Sequence, residues 1–146
     1  MELKKLVLTG GPCAGKTTAR SYLSEKLADC GVAVTFVPET ATMVIGSGID
    51  PRSLNGENKT RFEELLIKTQ IRLEDETFDT VADIRGGEKR VMICDRGCMD
   101  VAAYAGQKEF NLILRRNNWD RSFLRDKRYD AVFHLETAAI GREEFY

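Results

Sequence analysis

The chain has 146 residues, of which 42% are hydrophobic and 31% are charged, values that are ordinary for a soluble globular protein with one hydrophobic core. Its 22 basic and 23 acidic residues give a formal net charge of -1, which argues against nucleic acid as a partner. No apolar run approaches the ~20 residues of a transmembrane helix, and no basic-then-apolar leader opens the sequence, so we expect a cytoplasmic protein without a transmembrane segment.

The first predicted strand, residues 3–9, leads into a glycine-rich segment that is followed by a predicted helix over residues 16–30. Residues 10–18, called the phosphate loop below, fit the pattern of glycine, any four residues, glycine, lysine, and serine or threonine. Glycines let successive backbone N–H groups turn onto a phosphate, and the helix dipole adds to the attraction. We therefore predict a phosphate-binding site formed by Gly10, Gly11, Pro12, Cys13, Ala14, Gly15, Lys16, Thr17 and Thr18.

Two side chains of the phosphate loop suit a nucleoside triphosphate with Mg²⁺. Lys16 carries a point charge that can reach the outer phosphates. The Thr17 hydroxyl is a small oxygen ligand of the kind that Mg²⁺ prefers. The segment therefore predicts Mg²⁺-dependent binding of ATP or GTP.

Strands and helices alternate along the rest of the chain. We predict strands over residues 33–37, 90–95 and 129–135, helices over 39–45, 58–84 and 100–116, and a loop over 46–56. This alternation predicts the three-layer α/β fold of a P-loop NTPase, a parallel sheet of order 2-3-1-4 flanked by helices. In such a sheet the active site lies at the carboxyl ends of the strands.

Polar residues follow these strand ends. Asp95 closes an apolar strand and is placed to hold Mg²⁺, the alternative being an aspartate in a surface turn. Arg96 follows directly and could reach a phosphate or a substrate hydroxyl. Glu39 could accept a proton from an attacking hydroxyl, or could simply begin a helix whose dipole favours an acid.

Two further residues have ordinary structural interpretations. Gln70 lies in the middle of the long predicted helix, where a solvated glutamine is the more common outcome. His134 lies inside the last predicted strand, and a buried, hydrogen-bonded core histidine is favoured there over a ligand or a base.

Several of these residues resemble the plan of deoxynucleoside kinases. The resemblance rests on Val37-Pro38-Glu39, Gln70, Asp95-Arg96-Gly97 and Tyr104. It implies that Glu39 is the catalytic base, that Gln70 reads a nucleobase, and that Asp95 and Arg96 form the acid–arginine pair that ends strand three. The sequence departs from that family at Gly97, where the family has serine, and at Thr40, where the commoner pattern has a second proline.

The chain as a whole is more similar to kinase-like, AAA-like NTPase domains. This group includes the kinase domain of the nicotinamide-nucleotide regulator and the eukaryotic TRPL translocation defect proteins, and residues 10–18, 37–42 and 128–135 resemble the eukaryotic set. The resemblance implies nucleotide binding and a link to membrane-protein trafficking. Related kinases continue with an arginine-bearing lid and a fifth strand, so we expect residues 1–146 to be one domain that stops before both.

Two functions remain open at this point. The first is transfer of a phosphoryl group from ATP or GTP to a small, nucleoside-like acceptor, with Lys16, Glu39, Asp95 and Arg96 in catalytic roles, Glu39, Gln70 and Arg96 on the substrate, and Thr17 and Asp95 on Mg²⁺. The second is a nucleotide-dependent switch or scaffold in trafficking, with slow or no hydrolysis, in which nucleotide orders residues 46–56 for a protein partner. The sequence is compatible with either nucleotide and with any oligomeric state.

Overall fold

A parallel sheet forms the centre of the molecule in the computed structural model, which describes residues 3–11, 14–84 and 88–137. The strands are β1 (Lys4–Gly10), β2 (Val32–Val37), β3 (Lys89–Asp95) and β4 (Ala131–Leu135). Their order is β2-β3-β1-β4, and every pairing is parallel. The predicted α/β fold and strand order are confirmed.

Five α-helices of the described ranges flank the sheet. They are α1 (Lys16–Asp29), α2 (Thr40–Gly46), α3 (Gly56–Asp83), α4 (Asp100–Ala105) and α5 (Gln107–Asn117). A 3₁₀ turn covers Pro51–Ser53 and a π-helical turn covers Phe123–Lys127. The single helix predicted over residues 100–116 is wrong, because Gly106 adopts a φ of 83° that divides it into α4 and α5.

The two faces of the sheet are covered differently. On one face α1 packs with Ala19, Leu23 and Leu27 against Leu8 and Ile93 of the sheet. On the other face Leu73 and Phe78 of α3 pack against Val7, Val37, Met92 and Cys94 of the sheet. The helices α3, α4 and α5 also form a larger apolar cluster among themselves, whose members include Phe62, Leu66, Ile67, Val101, Phe110 and Ile113. The carboxyl ends of the strands lie between these layers. Loops and side chains at these ends can contact a ligand.

The strand β4 lies at an edge of the described sheet, and its residues are more exposed than the sequence suggests. His134 is exposed, as are Val132 and Phe133 at 53% and 49%. The prediction of a buried His134 is wrong, because α1 packs over β1, β2 and β3 and leaves β4 uncovered among the described residues.

The helices within residues 3–11, 14–84 and 88–137 are all too short or too polar to span a lipid bilayer.

Candidate functional site

The phosphate loop begins where β1 ends, and two of its glycines need their special backbone conformations. Gly10 has a φ of 151°, and a Cβ there would overlap the Leu135 carbonyl oxygen of β4. Gly15 has a φ of 82° and is the N-cap of α1. Pro12 and Cys13, which complete the predicted loop, lie outside the described residues.

The start of α1 has the properties of an anion site. Within the described part of the loop, no side chain caps the helix N-terminus, and its first turn carries no acidic residue. Its free N–H groups and its dipole therefore favour a negative charge beside Gly15.

Two cationic side chains converge on the Gly10 carbonyl oxygen. Lys16 Nζ donates to it at 3.3 Å, and Arg96 Nη1 donates to it at 3.0 Å. A lysine and an arginine therefore lie at the start of the phosphate loop, where a bound triphosphate would need positive charge.

Arg96 links the phosphate loop to the neighbouring strand ends. Its Nε donates to Glu39 Oε1 at 2.6 Å, and its guanidinium lies 3.7 Å from Asp100 Oδ1 and 5.6 Å from the centre of the Tyr104 ring. In this position the Arg96 backbone has a φ of 68°, which is unusual for a residue with a side chain. A backbone bond from Arg96 N to Leu8 O at 2.8 Å holds the turn.

Glu39 lies at the N-cap of α2, with both carboxylate oxygens engaged. Arg96 donates to Oε1, and the Thr42 hydroxyl donates to Oε2 at 2.8 Å. Burial raises the pKa of Glu39, but the hydrogen bonds from Arg96 and Thr42 and the charges of Arg96 and Lys16 outweigh it, so the pKa lies below its ordinary value. The group is therefore ionised at neutral pH.

Asp95 lies at the end of β3 and is mostly buried, with a side chain that is 15% exposed. Its Oδ1 has no hydrogen-bond partner among the residues that the structure describes, while Oδ2 lies 3.7 Å from Arg20 Nη1. Burial, and next the charge of Glu39, raise the pKa of Asp95 above its ordinary value. A surface turn, the alternative left open by the sequence, does not describe this position.

The unpartnered Asp95 oxygen fits a cation such as Mg²⁺. A buried carboxylate oxygen without a donor is costly, and a bound cation would remove that cost. No group of three or more His, Cys, Asp or Glu residues in the described ranges could hold a metal by itself. That suits Mg²⁺, which commonly takes one or two protein oxygens together with phosphates and waters.

Gln70 is buried, with 4% of its surface exposed, so the expectation of a solvated glutamine is wrong. Its Nε2 donates to Glu74 Oε1 at 2.5 Å and to the Arg96 carbonyl at 3.3 Å. Its Oε1 accepts from the Thr40 hydroxyl. Thr40, where the kinase pattern has a second proline, therefore supplies the hydroxyl that donates to Gln70. Recognition of a nucleobase by Gln70 stays a prediction.

A buried charged network behind Gln70 was missed by the sequence reasoning. Arg128 Nε donates to Glu74 Oε2 at 2.8 Å, and the Tyr129 hydroxyl donates to Glu74 Oε1 at 2.9 Å. The Tyr129 oxygen in turn accepts from Cys98 N at 2.9 Å. Only the position of Arg128-Tyr129 directly before an apolar strand could have drawn attention to it.

A small cavity lies between Glu39 and α4. Its lining comprises Glu39, Thr40, Ala41, Leu66, Gln70, Arg96, Gly97, Asp100, Val101 and Tyr104. Its volume is about 20 Å³, enough for about one water. Glu39, Arg96 and Gln70 are thus brought together beside the phosphate loop, around a space that is closed in this conformation.

The chain is similar to one protein family and to solved structures of known fold. A family model described as an AAA domain matches residues 5–144. Among solved structures, thymidylate kinase from Ehrlichia chaffeensis is 19% identical with a TM-score of 0.58, over 99% of this chain and 82% of that one. No curated protein matches the chain. The structural likeness shows the fold of a phosphate-loop kinase.

Proposed function

The chain belongs to this AAA domain family of phosphate-loop NTPase-like domains, and on that premise we propose that it binds ATP or GTP with Mg²⁺ and transfers the terminal phosphoryl group to a small, nucleoside-like acceptor. The observation that carries the proposal is the position of Arg96, which donates both to the Gly10 carbonyl of the phosphate loop and to the Glu39 carboxylate. One side chain thereby joins the proposed nucleotide site to the proposed acceptor site.

The proposed nucleotide site uses the loop backbone and two cations. The N–H groups at the start of α1 would donate to phosphate oxygens, and the glycine conformations at Gly10 and Gly15 allow the close approach. Lys16 would exchange its bond to the Gly10 carbonyl for the outer phosphates. Residues Gly11, Ala14 and Thr18 complete the described part of the loop.

Thr17 and Asp95 are the residues that would hold Mg²⁺. The ion, when bound, would neutralise charge on the terminal phosphates. Asp95 contributes a buried oxygen that has no other partner among the described residues.

Glu39 is the proposed base for the acceptor. It is ionised, and it lies where a hydroxyl that enters the small cavity would meet it. In the proposed step the acceptor oxygen forms a bond to the terminal phosphorus, the bond to the bridging oxygen breaks, and the nucleoside diphosphate leaves. The hydroxyl proton goes to Glu39, whose basicity rises when Arg96 turns from it toward the phosphates.

An acceptor screen tests this proposal. Radiolabelled ATP and GTP are incubated in Mg²⁺ with nucleosides and nucleoside monophosphates, thymidine monophosphate included, and labelled products are separated. We expect an acceptor-dependent product that Lys16→Ala abolishes and that Glu39→Gln lowers by about 10²–10⁴-fold, the contribution typical of a general base. If the parent protein makes no acceptor-dependent product above the Lys16→Ala background, the transferase is contradicted.

One observation favours a second candidate, a nucleotide-dependent switch read by a protein partner. The cavity beside Glu39 holds about 20 Å³, and both oxygens of Glu39 are already bonded, so the conformation described has no room for an acceptor. The trafficking role implied by the resemblance belongs to this candidate. Nucleotide binding with very slow hydrolysis and no stimulation by any acceptor would favour it over the transferase.

A further inference from the structure

A second, larger cavity opens at the N-terminal end of α3. Its lining comprises Gly56, Lys59, Thr60, Glu63, Ala105 and Glu109. Its volume is about 270 Å³, close to the lower end of the range for small-molecule pockets, which begins at about 300 Å³. None of these residues belongs to the phosphate loop.

Glu63 is the unusual residue of this cavity. Only 5% of its surface is exposed, and its Oε2 has no hydrogen-bond partner within residues 3–11, 14–84 and 88–137. Burial raises the pKa of Glu63, an effect that the charge of Lys59 only partly offsets. A buried carboxylate in this state gains free energy from any donor that reaches it.

The other polar groups that line the cavity do not donate a hydrogen bond to Glu63 Oε2, so a ligand could supply that donor. The Thr60 hydroxyl already donates to the Gly56 carbonyl at 3.4 Å. The remaining charged residues are Lys59 and Glu109, so two carboxylates face one ammonium group. This balance favours a ligand group that donates hydrogen bonds and carries positive charge.

The two cavities follow one another along the interface of α3 and α4. Glu63 lies seven residues before Gln70 on α3, which corresponds to about 10 Å of helix. On α4 the adjacent residues Tyr104 and Ala105 line the small and the large cavity respectively. The two cavities therefore lie close together along these helices, and one elongated ligand could extend from one to the other once the small cavity opens.

We propose that Glu63 binds an ammonium or amino group at the far end of the acceptor whose hydroxyl lies beside Glu39. This inference rests on the proposed function, because it takes the small cavity as the acceptor's reactive end. It assigns the acceptor class: an elongated molecule with a hydroxyl at one end and a donating nitrogen at the other.

Three matched probes test the site directly by ¹H–¹⁵N NMR titration. They are 6-amino-1-hexanol, 1-hexanol and 6-hydroxyhexanoate, which share a hydroxyl and a six-carbon chain and differ at the far end. We expect the amino alcohol to shift backbone signals of residues 56–63 and 105–109, and the other two probes to leave them in place. Equal shifts with hexanol or hydroxyhexanoate, or no shifts with the amino alcohol, would overturn the proposal.

Two variants separate recognition from folding. Glu63→Gln keeps the shape of the side chain, and we expect it to weaken binding of the amino alcohol about tenfold or more, the loss typical of a charge-assisted bond. Glu76→Gln, at an exposed position of the same helix, is the control and should bind like the parent. Unchanged binding by a folded Glu63→Gln protein contradicts the assignment, and thermal melts of both variants report folding.

A parallel titration with a fluorescent ATP or GTP analogue keeps the two proposals apart. Glu63→Gln should bind the nucleotide as the parent does, because Glu63 does not line the phosphate loop. If the parent protein does not bind the nucleotide, the proposed function is contradicted. If the parent binds the nucleotide but not the amino alcohol, only the assignment of Glu63 as the amino-group site is contradicted.

Discussion

Arg96 donates through Nε to Glu39 Oε1 at 2.6 Å, across 57 positions of sequence. Both side chains are largely buried, with 16% and 28% of their surfaces exposed. The bond therefore ties the end of β3 to the start of α2 and keeps Glu39 charged. In the proposed transfer, Arg96 would turn from Glu39 toward the phosphates before Glu39 accepts the proton of the acceptor.

Removal of the Arg96 charge should raise the pKa of Glu39. Arg96→Gln deletes the main interactions that hold this pKa below its ordinary value of 4.5, while the strained φ of 68° is still carried by a residue with a side chain. Carboxyl NMR titration of parent and variant measures the change, and Arg52→Gln on the exposed surface is the control. A Glu39 pKa that does not rise would contradict this description of the site.

The same pair predicts a dependence of stability on acid. Because the folded pKa of Glu39 is depressed, its contribution to stability is complete above the ordinary value of 4.5 and is lost as the pH falls through the folded pKa. We expect Arg96→Gln to cost about 1.5–3 kcal/mol at neutral pH, the value of a hydrogen bond to a charged group, and less in acid. Urea unfolding at several pH values checks it, and a cost that does not shrink in acid would disagree.

Asp95→Asn should stabilise the protein without ligand and weaken its response to Mg²⁺. The pKa of Asp95 is raised by burial, so ionisation opposes folding increasingly as the pH rises above the ordinary value of 3.8, and asparagine removes that cost. Binding of nucleotide in Mg²⁺ should fall by about 10–100-fold. Thermal melts with and without Mg²⁺ and nucleotide measure both effects, with Asp79→Asn as the exposed control. A variant that is less stable than the parent, or that keeps its full response to Mg²⁺, would argue against the metal site.

A side chain at Gly97 should be destabilising. A Cβ there would lie 3.2 Å from Val7 Cγ1 and 3.3 Å from the Tyr129 hydroxyl, which is fixed by its bond to Glu74. Gly97→Ala should therefore cost about 1–3 kcal/mol, as overpacking does. Gly46→Ala, where nothing lies within 4 Å of the new methyl group, should be neutral or stabilising. Equal stability of the two variants in urea would contradict the packing described.

The buried pair of Glu74 and Arg128 should be costly to break. Their side chains are 0% and 6% exposed, and neutralising Glu74 would leave the buried Arg128 charge paired with the half-exposed Asp75. We expect Glu74→Gln to lose about 3–5 kcal/mol of unfolding free energy. Asp126→Asn, which breaks the exposed pair with Arg125, is the control and should change little. If both variants unfold at similar urea concentrations, the network does not support the site as described.

The phosphate loop and the fold could be predicted from the sequence because their requirements are local. Gly10 and Gly15 meet backbone demands that no other residue type meets easily, and alternating apolar segments specify the parallel sheet. The position of Asp95 at the end of β3 followed from the same pattern.

Burial of single polar residues could not be predicted, because it depends on packing between distant segments. Gln70 is buried since Thr40, 30 positions away, satisfies its oxygen, and Arg128 is buried since Glu74 lies 54 positions away in sequence but adjacent in space. His134 is exposed because β4 lies at the edge of the described sheet, which no property of its own segment reveals.

The most direct test of the account is a thermal titration with ATP and with GTP in Mg²⁺, on the parent protein, Lys16→Ala, and the control Lys26→Ala at the other end of α1. A ligand that binds the native state raises its melting temperature. We expect at least one nucleotide to raise the melting temperature of the parent and of Lys26→Ala, and we expect Lys16→Ala to fold but not to respond. No rise in the parent with either nucleotide, or an equal rise in Lys16→Ala, would contradict the claim that residues 10–18 bind a nucleoside triphosphate.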